Sequence, residues 1–83
     1  MPYADKVYVA VENGETKIEI RVAGEEGNYM AMMDCRDARL KSHFKAPNPL
    51  LMGKTTKEVI SNCKKWVKEN LGKDMDIREK QTT

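Results

Sequence analysis

Cysteine and histidine are scarce in this 83-residue chain, which has two of the first and one of the second. A zinc site needs several such ligands at short spacing, and Cys35, Cys63 and His43 do not supply it, so no metal is expected. Two thiols also make no disulfide framework of the kind that staples small secreted domains, and both are read as free. No apolar run approaches the roughly 20 residues of a membrane span. The opening MPYADK has neither the basic flank nor the apolar stretch of a secretory signal, so a cytoplasmic location is expected. At this length one modest core can form, which argues against a roomy enclosed active site.

Charge is plentiful, and it is divided. Residues 1–37 hold eight acids against four bases, a net of −4, while residues 38–83 hold eleven bases against five acids, a net of +6. Such asymmetry suits either a surface that meets a polyanion or a soluble helix with lysine on its wet face.

The most self-contained stretch is GKTTKEVISNCKKWVKENLG, residues 53–72. Thr55 and Glu58 have capping-box spacing, in which the hydroxyl takes the third helical amide and the carboxylate reaches back to the amide of the cap. Gly72 supplies the stop. Val59, Ile60, Cys63, Trp66, Val67 and Leu71 fall within one arc of about 140° at roughly 100° per residue, the pattern of a core-facing helix.

Two alternating segments precede it. KVYVAVE (6–12) and TKIEIRVA (16–23) flank Asn13-Gly14, a strong type I′ hairpin signal because both central residues need positive φ. A regular two-residue loop sets Glu12 opposite Glu15, Val9 opposite Ile18 and Val7 opposite Ile20, with the valines on the core face. A four-residue reversal at residues 24–27 then leads to a strand at 28–34, placing Tyr29, Ala31 and Met33 inside and Asp34 opposite Lys17 outside. Tyr8, Ala10, Met30 and Met32 fall on the outer face of that sheet. Methionine and tyrosine on the nominally wet side mark a contact surface, though methionine also fills gaps beneath loops.

Residues 38–44 alternate Ala38, Leu40, Ser42 and Phe44 with basic residues, as a fourth edge strand would. Pro47-Asn48-Pro49 interrupts regular structure, and Asn48 is placed to cap a single helical turn through Leu50 and Met52. From Lys73 the chain is polar apart from Met75 and Ile77, and residues 73–83 read as a frayed tail behind a domain of residues 1–72.

Catalytic signals are weak. Gly53-Lys54-Thr55 lacks the glycine five positions before the GK pair that a phosphate-binding loop requires; Asn48 stands there. Asp34 and Asp37 are the one close acidic pair near a strand end, and with His43 they are the only set a small hydrolase would use. No enzyme and no cofactor is expected. Lys57, Lys64 and Lys68 form a strip at the border of the apolar helix face, with Lys65 farther round and Lys54 at the N-terminal end. Lysine stems cover core edges in this way, and the same strip would suit a nucleic-acid backbone.

Two resemblances arise from these residues. Gly27-Asn28-Tyr29-Met30-Ala31 and Gly53-Lys54-Thr55-Thr56-Lys57-Glu58-Val59 with Asn62 resemble the HicB-like antitoxins, where a GGYVA-like third strand precedes a G-x-T-x-x-E-A helix start. The similarity covers roughly residues 16–71. It departs where the family's short D-L-P-G-C-like link is replaced by RDARLKSHFKAPNPLLM, and no DNA-binding segment matches. The resemblance implies a partner-binding module without operator binding. Lys54, Lys57, Lys64 and Lys65 are also similar to the basic last helix of double-stranded RNA-binding domains, whose first helix has no counterpart here.

The expectation is an α+β fold: a three- or four-stranded antiparallel meander with one amphipathic helix packed on one face. Its expected role is contact with another protein or with a second copy, through Tyr8, Met30 and Met32. The alternative is duplex-RNA backbone binding through Lys54, Lys57, Lys64 and Lys68.

Overall fold

The structure is a computed structural model, and it describes residues 6–25, 27–42, 44 and 50–80. Five strands and two helices follow in the order β1 (Lys6–Glu12), β2 (Glu15–Glu25), β3 (Asn28–Cys35), α1 (Ala38–Lys41), β4 (Leu50–Gly53), α2 (Thr56–Leu71) and β5 (Asp76–Glu79). All strand pairs are antiparallel, in the order β4-β3-β2-β1-β5. β1 to β4 are therefore a meander, and β5 closes onto the far side of β1. This is the expected α+β architecture, with α2 packed against β3 and β4 on one face.

The first hairpin turns as its residues require, with φ of 54° at Asn13 and 78° at Gly14, and Glu12 opposes Glu15. Two residues later the regular register fails. Val11 opposes Thr16 but Ala10 opposes Ile18, so Lys17 is an extra residue on β2, a β-bulge. Side chains alternate faces with a period of two, so one inserted residue exchanges the faces of everything before it on β1. Ala10 and Tyr8, not Val9 and Val7, stand opposite Ile18 and Ile20 on the core side, and Val7 and Val9 stand opposite Arg21 and Glu19 on the other. This corrects the register expected from the turn.

Lys17 explains why the bulge is kept. Its side chain is only 9% exposed and its ammonium bonds Asp37 at 2.8 Å and Glu15 at 3.1 Å, while its carbonyl accepts from the Arg36 amide at 2.7 Å. The out-of-register lysine thus ties the first hairpin to the chain that leaves β3.

The second reversal is tighter than expected. β2 runs on through Gly24 and Glu25, which opposes Asn28, so Asp34 meets Glu19 and not Lys17. The offset is two residues, and the inward set of Ile18, Ile20, Val22, Ala31 and Met33 is unchanged; all are at most 1% exposed. Gly24 makes the close pairing possible, since its φ is 135° and an added Cβ would lie 2.3 Å from the Asn28 carbonyl oxygen.

The segment expected as a basic edge strand is a helical turn instead. Asp37 caps α1 by accepting from the Arg39 amide at 2.8 Å, and Leu40 and Phe44 are buried. The helical turn expected through Leu50 and Met52 is strand β4; Asn48 lies outside the described residues. The tail is not frayed from Lys73: Met75 is 2% exposed in the core, Asp76–Glu79 pairs with β1, and the Lys80 amide donates to the Val7 carbonyl at 2.7 Å.

α2 starts and stops where expected. Glu58 N–H donates to the Thr55 hydroxyl at 3.0 Å, and Gly72 ends the helix at φ 66°. The Glu58 carboxylate accepts from Lys54, one residue before the cap, not from the cap's own amide. Val59, Cys63 and Val67 are buried, and Trp66 is half-buried with its ring 4.9 Å from that of Phe44. Burial pushes the Cys63 thiol up to about 12, as expected of a small hydrophobe in a core. Both cysteines are free. No helix among the described residues is long and apolar enough to cross a membrane.

Candidate functional site

Helix α2 covers one face of the sheet, and the other face carries the exposed apolar residues. Met30 and Met32 lie there as expected, each 42% exposed. β4 adds Leu50 opposite Met32 and Met52 opposite Met30, at 56% and 58% exposed, so the four side chains form one contiguous block across two strands. The bulge at Lys17 adds Val7, which joins Arg21, Ala23, Met30, Met32 and Leu50 around an open depression of about 500 Å³. Lys6 also lines it, and its charged walls are basic.

Tyr8 does not belong to this face. The bulge places it opposite Ile20, packed against the core, which corrects its assignment as a contact residue. Leu50 and Met52 are the contact candidates that the sequence reading missed. A short apolar run bounded by Pro49 and Gly53 is a strand pattern as well as a candidate helical turn, and that pattern is the signal for them in the sequence.

Beyond the apolar block the same face becomes polar. Glu19, 12% exposed at its side chain, accepts from Arg36 at 3.0 Å and lies 3.6 Å from Arg21 and 3.8 Å from Lys80. Arg36 holds its carboxyl below the ordinary glutamate range against the opposing effect of burial.

The other candidate chemistries are accounted for by pairing. Asp34 lies 3.7 Å from Arg36, whereas Asp37 is held by Lys17 and Arg39, so the two carboxylates are engaged in separate ion pairs. Lys17, followed by the amide and guanidinium of Arg39, holds Asp37 far below the usual carboxylate range. His43 lies outside the described residues. A polar hollow of about 400 Å³ is lined by Glu12, Lys17, Asp37, Arg39 and Lys73, among others, but its acids are matched: Lys73 bonds Glu12 at 3.1 Å and Lys17 bonds Asp37. Among the described residues no cluster of three or more metal-ligating side chains occurs.

Lys54, Lys57, Lys64 and Lys68 are exposed, and among the described residues only the Lys64 ammonium has a carboxylate within 4 Å, that of Asp74 at 3.9 Å. At the N-terminus of α2 the Glu58 carboxylate accepts from the Lys54 amide at 3.4 Å and sits in the first turn, where the helix dipole favours negative charge. The second part of the HicB-like pattern, Gly53 to Val59 with Asn62, lies at the joint between β4 and α2. Gly53 lets the helix sit close, since a Cβ there would lie 2.7 Å from the Val59 nitrogen, and the Asn62 amide donates to the Met52 carbonyl at 2.9 Å.

No protein-family model matches this sequence, and neither a curated protein nor a solved structure is significantly similar to it.

Proposed function

We propose that this chain is a small non-enzymatic binding module that contacts a partner protein through the helix-free face of its sheet, in the manner of a HicB-like antitoxin module. The observation that carries this reading is the block of Met30, Met32, Leu50 and Met52, all more than 40% exposed and adjacent in two paired strands. Isolated exposed hydrophobics are ordinary, whereas a contiguous group is typical of an interface. Methionine suits such a face because its flexible, polarisable side chain adapts to different partner shapes.

A second reading is contact with duplex RNA through Lys54, Lys57, Lys64 and Lys68, and the exposure of all four favours it. One set of variants separates the two. Affinity capture with the wild type and with Met30→Ser/Met32→Ser is expected to lose a partner protein in the variant while its thermal transition stays close to the wild type. Equal capture by both chains overturns the face reading. Titration of a generic duplex RNA at low and moderate salt is the matching test for the lysines, where tight low-salt binding that falls steeply with salt would replace the protein reading.

A further inference from the structure

We propose that the depression on the helix-free face docks an acidic amphipathic helix of a partner protein, with a glutamate or aspartate of that helix held by Arg21. The proposal deepens the proposed function and rests on it, naming the chemistry of the partner that covers the same face. Among the described residues that line the depression the division is sharp: five are apolar, the two charged ones are Lys6 and Arg21, and no acid is present. An apolar floor edged by cations alone is complementary to an apolar surface that carries negative charge.

Arg21 is the cation placed to receive that charge. It stands on β2 between Val7 and Met32, which oppose it on either side, and its side chain is 69% exposed. Glu19 lies 3.6 Å from its Nε, beyond hydrogen-bond reach, and already accepts from Arg36 at 3.0 Å. Among the described residues the Arg21 guanidinium makes no hydrogen bond, so its planar fork is available to take a carboxylate in two parallel bonds. Lys80, 3.8 Å from Glu19, is a third base around that one acid, and Asp34 shares Arg36 at 3.7 Å, so three bases face two acids beside the depression. Farther out, Asp76 pairs with Arg78, and Glu25 stands at the β2–β3 turn opposite Asn28, outside the lining. The ground around Arg21 is therefore net positive. Neighbouring strands lie about 4.8 Å apart, close to the roughly 5–6 Å between side chains three or four apart on a helix, so an apolar helical stripe seats across β4, β3 and β2 with its flank at Arg21. A second copy would meet this surface with the same patch, returning basic rim to basic rim. Duplex RNA brings charge without an apolar stripe to cover the methionines.

Fluorescence titration of the full chain with two labelled peptides tests the docking. Both are amphipathic helices of leucine and alanine, one flanked by glutamate and the other by lysine at the same positions. At low salt the wild type is expected to bind the glutamate peptide about tenfold more tightly than the lysine peptide. Arg21→Gln is expected to weaken the glutamate peptide about fivefold and to leave the lysine peptide unchanged, whereas Met30→Ser/Met32→Ser weakens both. A thermal melt confirms that each variant is folded. No binding of the glutamate peptide up to about 1 mM overturns the inference, as does an Arg21→Gln chain that binds it like the wild type. So does glutamate-peptide binding that is lost only in Lys64→Gln/Lys68→Gln, which would place the acid on α2. A wild type that is dimeric by light scattering, with the dimer lost in Met30→Ser/Met32→Ser, would give the face to a second copy and also overturn it. Two peptides bound alike by the wild type and both weakened by the methionine variant would sink the acidic partner while leaving the face reading standing. A glutamate peptide bound equally by the wild type and the methionine variant would sink both.

Discussion

Lys17 shows how much one residue decides. A lysine at an alternating strand position reads as a solvated charge, yet here it is the extra residue of a bulge, 7% exposed overall and bonded to two carboxylates. Its partner Asp37 caps α1 and holds the ammonium together, so one carboxylate serves both the helix and the hairpin. Because the native pKa of Asp37 is depressed, its contribution is present above the unfolded aspartate value of about 3.9 and drains as the pH falls below that towards the lowered native value. Asp37→Asn keeps an oxygen for the cap but removes the charge. Urea unfolding at pH 7 and at pH 3 is expected to show a lower midpoint for the variant at pH 7. The gap should be narrower at pH 3 and close only as the pH nears the lowered native value, and an unchanged gap would show that the charge is not what matters.

At the scale of elements, the bulge divides β1 in a way its composition conceals. Val7 and Val9 have the stronger apolar side chains, but Ala10 is fully buried and Val9 lies on the helix-free face. Enlarging Ala10 must therefore strain a filled core, and altering Val9 must not. Ala10→Leu is expected to cost about 1–3 kcal/mol, and Val9→Thr about 0.5 kcal/mol or less, by urea denaturation. The opposite order would restore the regular hairpin register. The joint between β4 and α2 follows similar logic, since Gly53, Thr55, Glu58 and Asn62 act on backbone approach, cap and strand carbonyl. A motif that carries a family resemblance is here explained by how a helix leaves a sheet.

For the whole molecule, one sandwich absorbs most of the apolar material: the inner residues of β2 and β3, Ala10 of β1, Met75, and the buried stripe of α2. Trp66 closes one border of that sandwich by stacking at a tilt of 57° on Phe44. Its half-buried position puts Trp66→Ala at about 3 kcal/mol, the lower end for large aromatic truncations, measured by circular dichroism in urea. What the sandwich does not absorb is concentrated on the other face, beside an uncharged edge. That division of faces supports the partner-binding reading.

Much of this was legible in local chemistry. Asn13-Gly14 specified its turn, Thr55 and Gly72 bounded their helix, and the spacing of Val59, Cys63 and Val67 named the buried stripe, because turns, caps and helix periodicity depend on neighbours in the chain. The exposure of Met30 and Met32 was readable too, since a two-residue offset between strands preserves faces. The bulge, the strand at Leu50–Gly53 and the return of Asp76–Glu79 to the edge of β1 were decided only in three dimensions. Each depends on a group distant in sequence: Asp37 holding Lys17 out of register, Met30 and Met32 offering their strand to Leu50 and Met52, and β1 offering its free edge. Hydrogen bonds and ion pairs between remote segments leave no periodicity in the chain, and here they determined which residues of β1 faced the core and which faced the helix-free side.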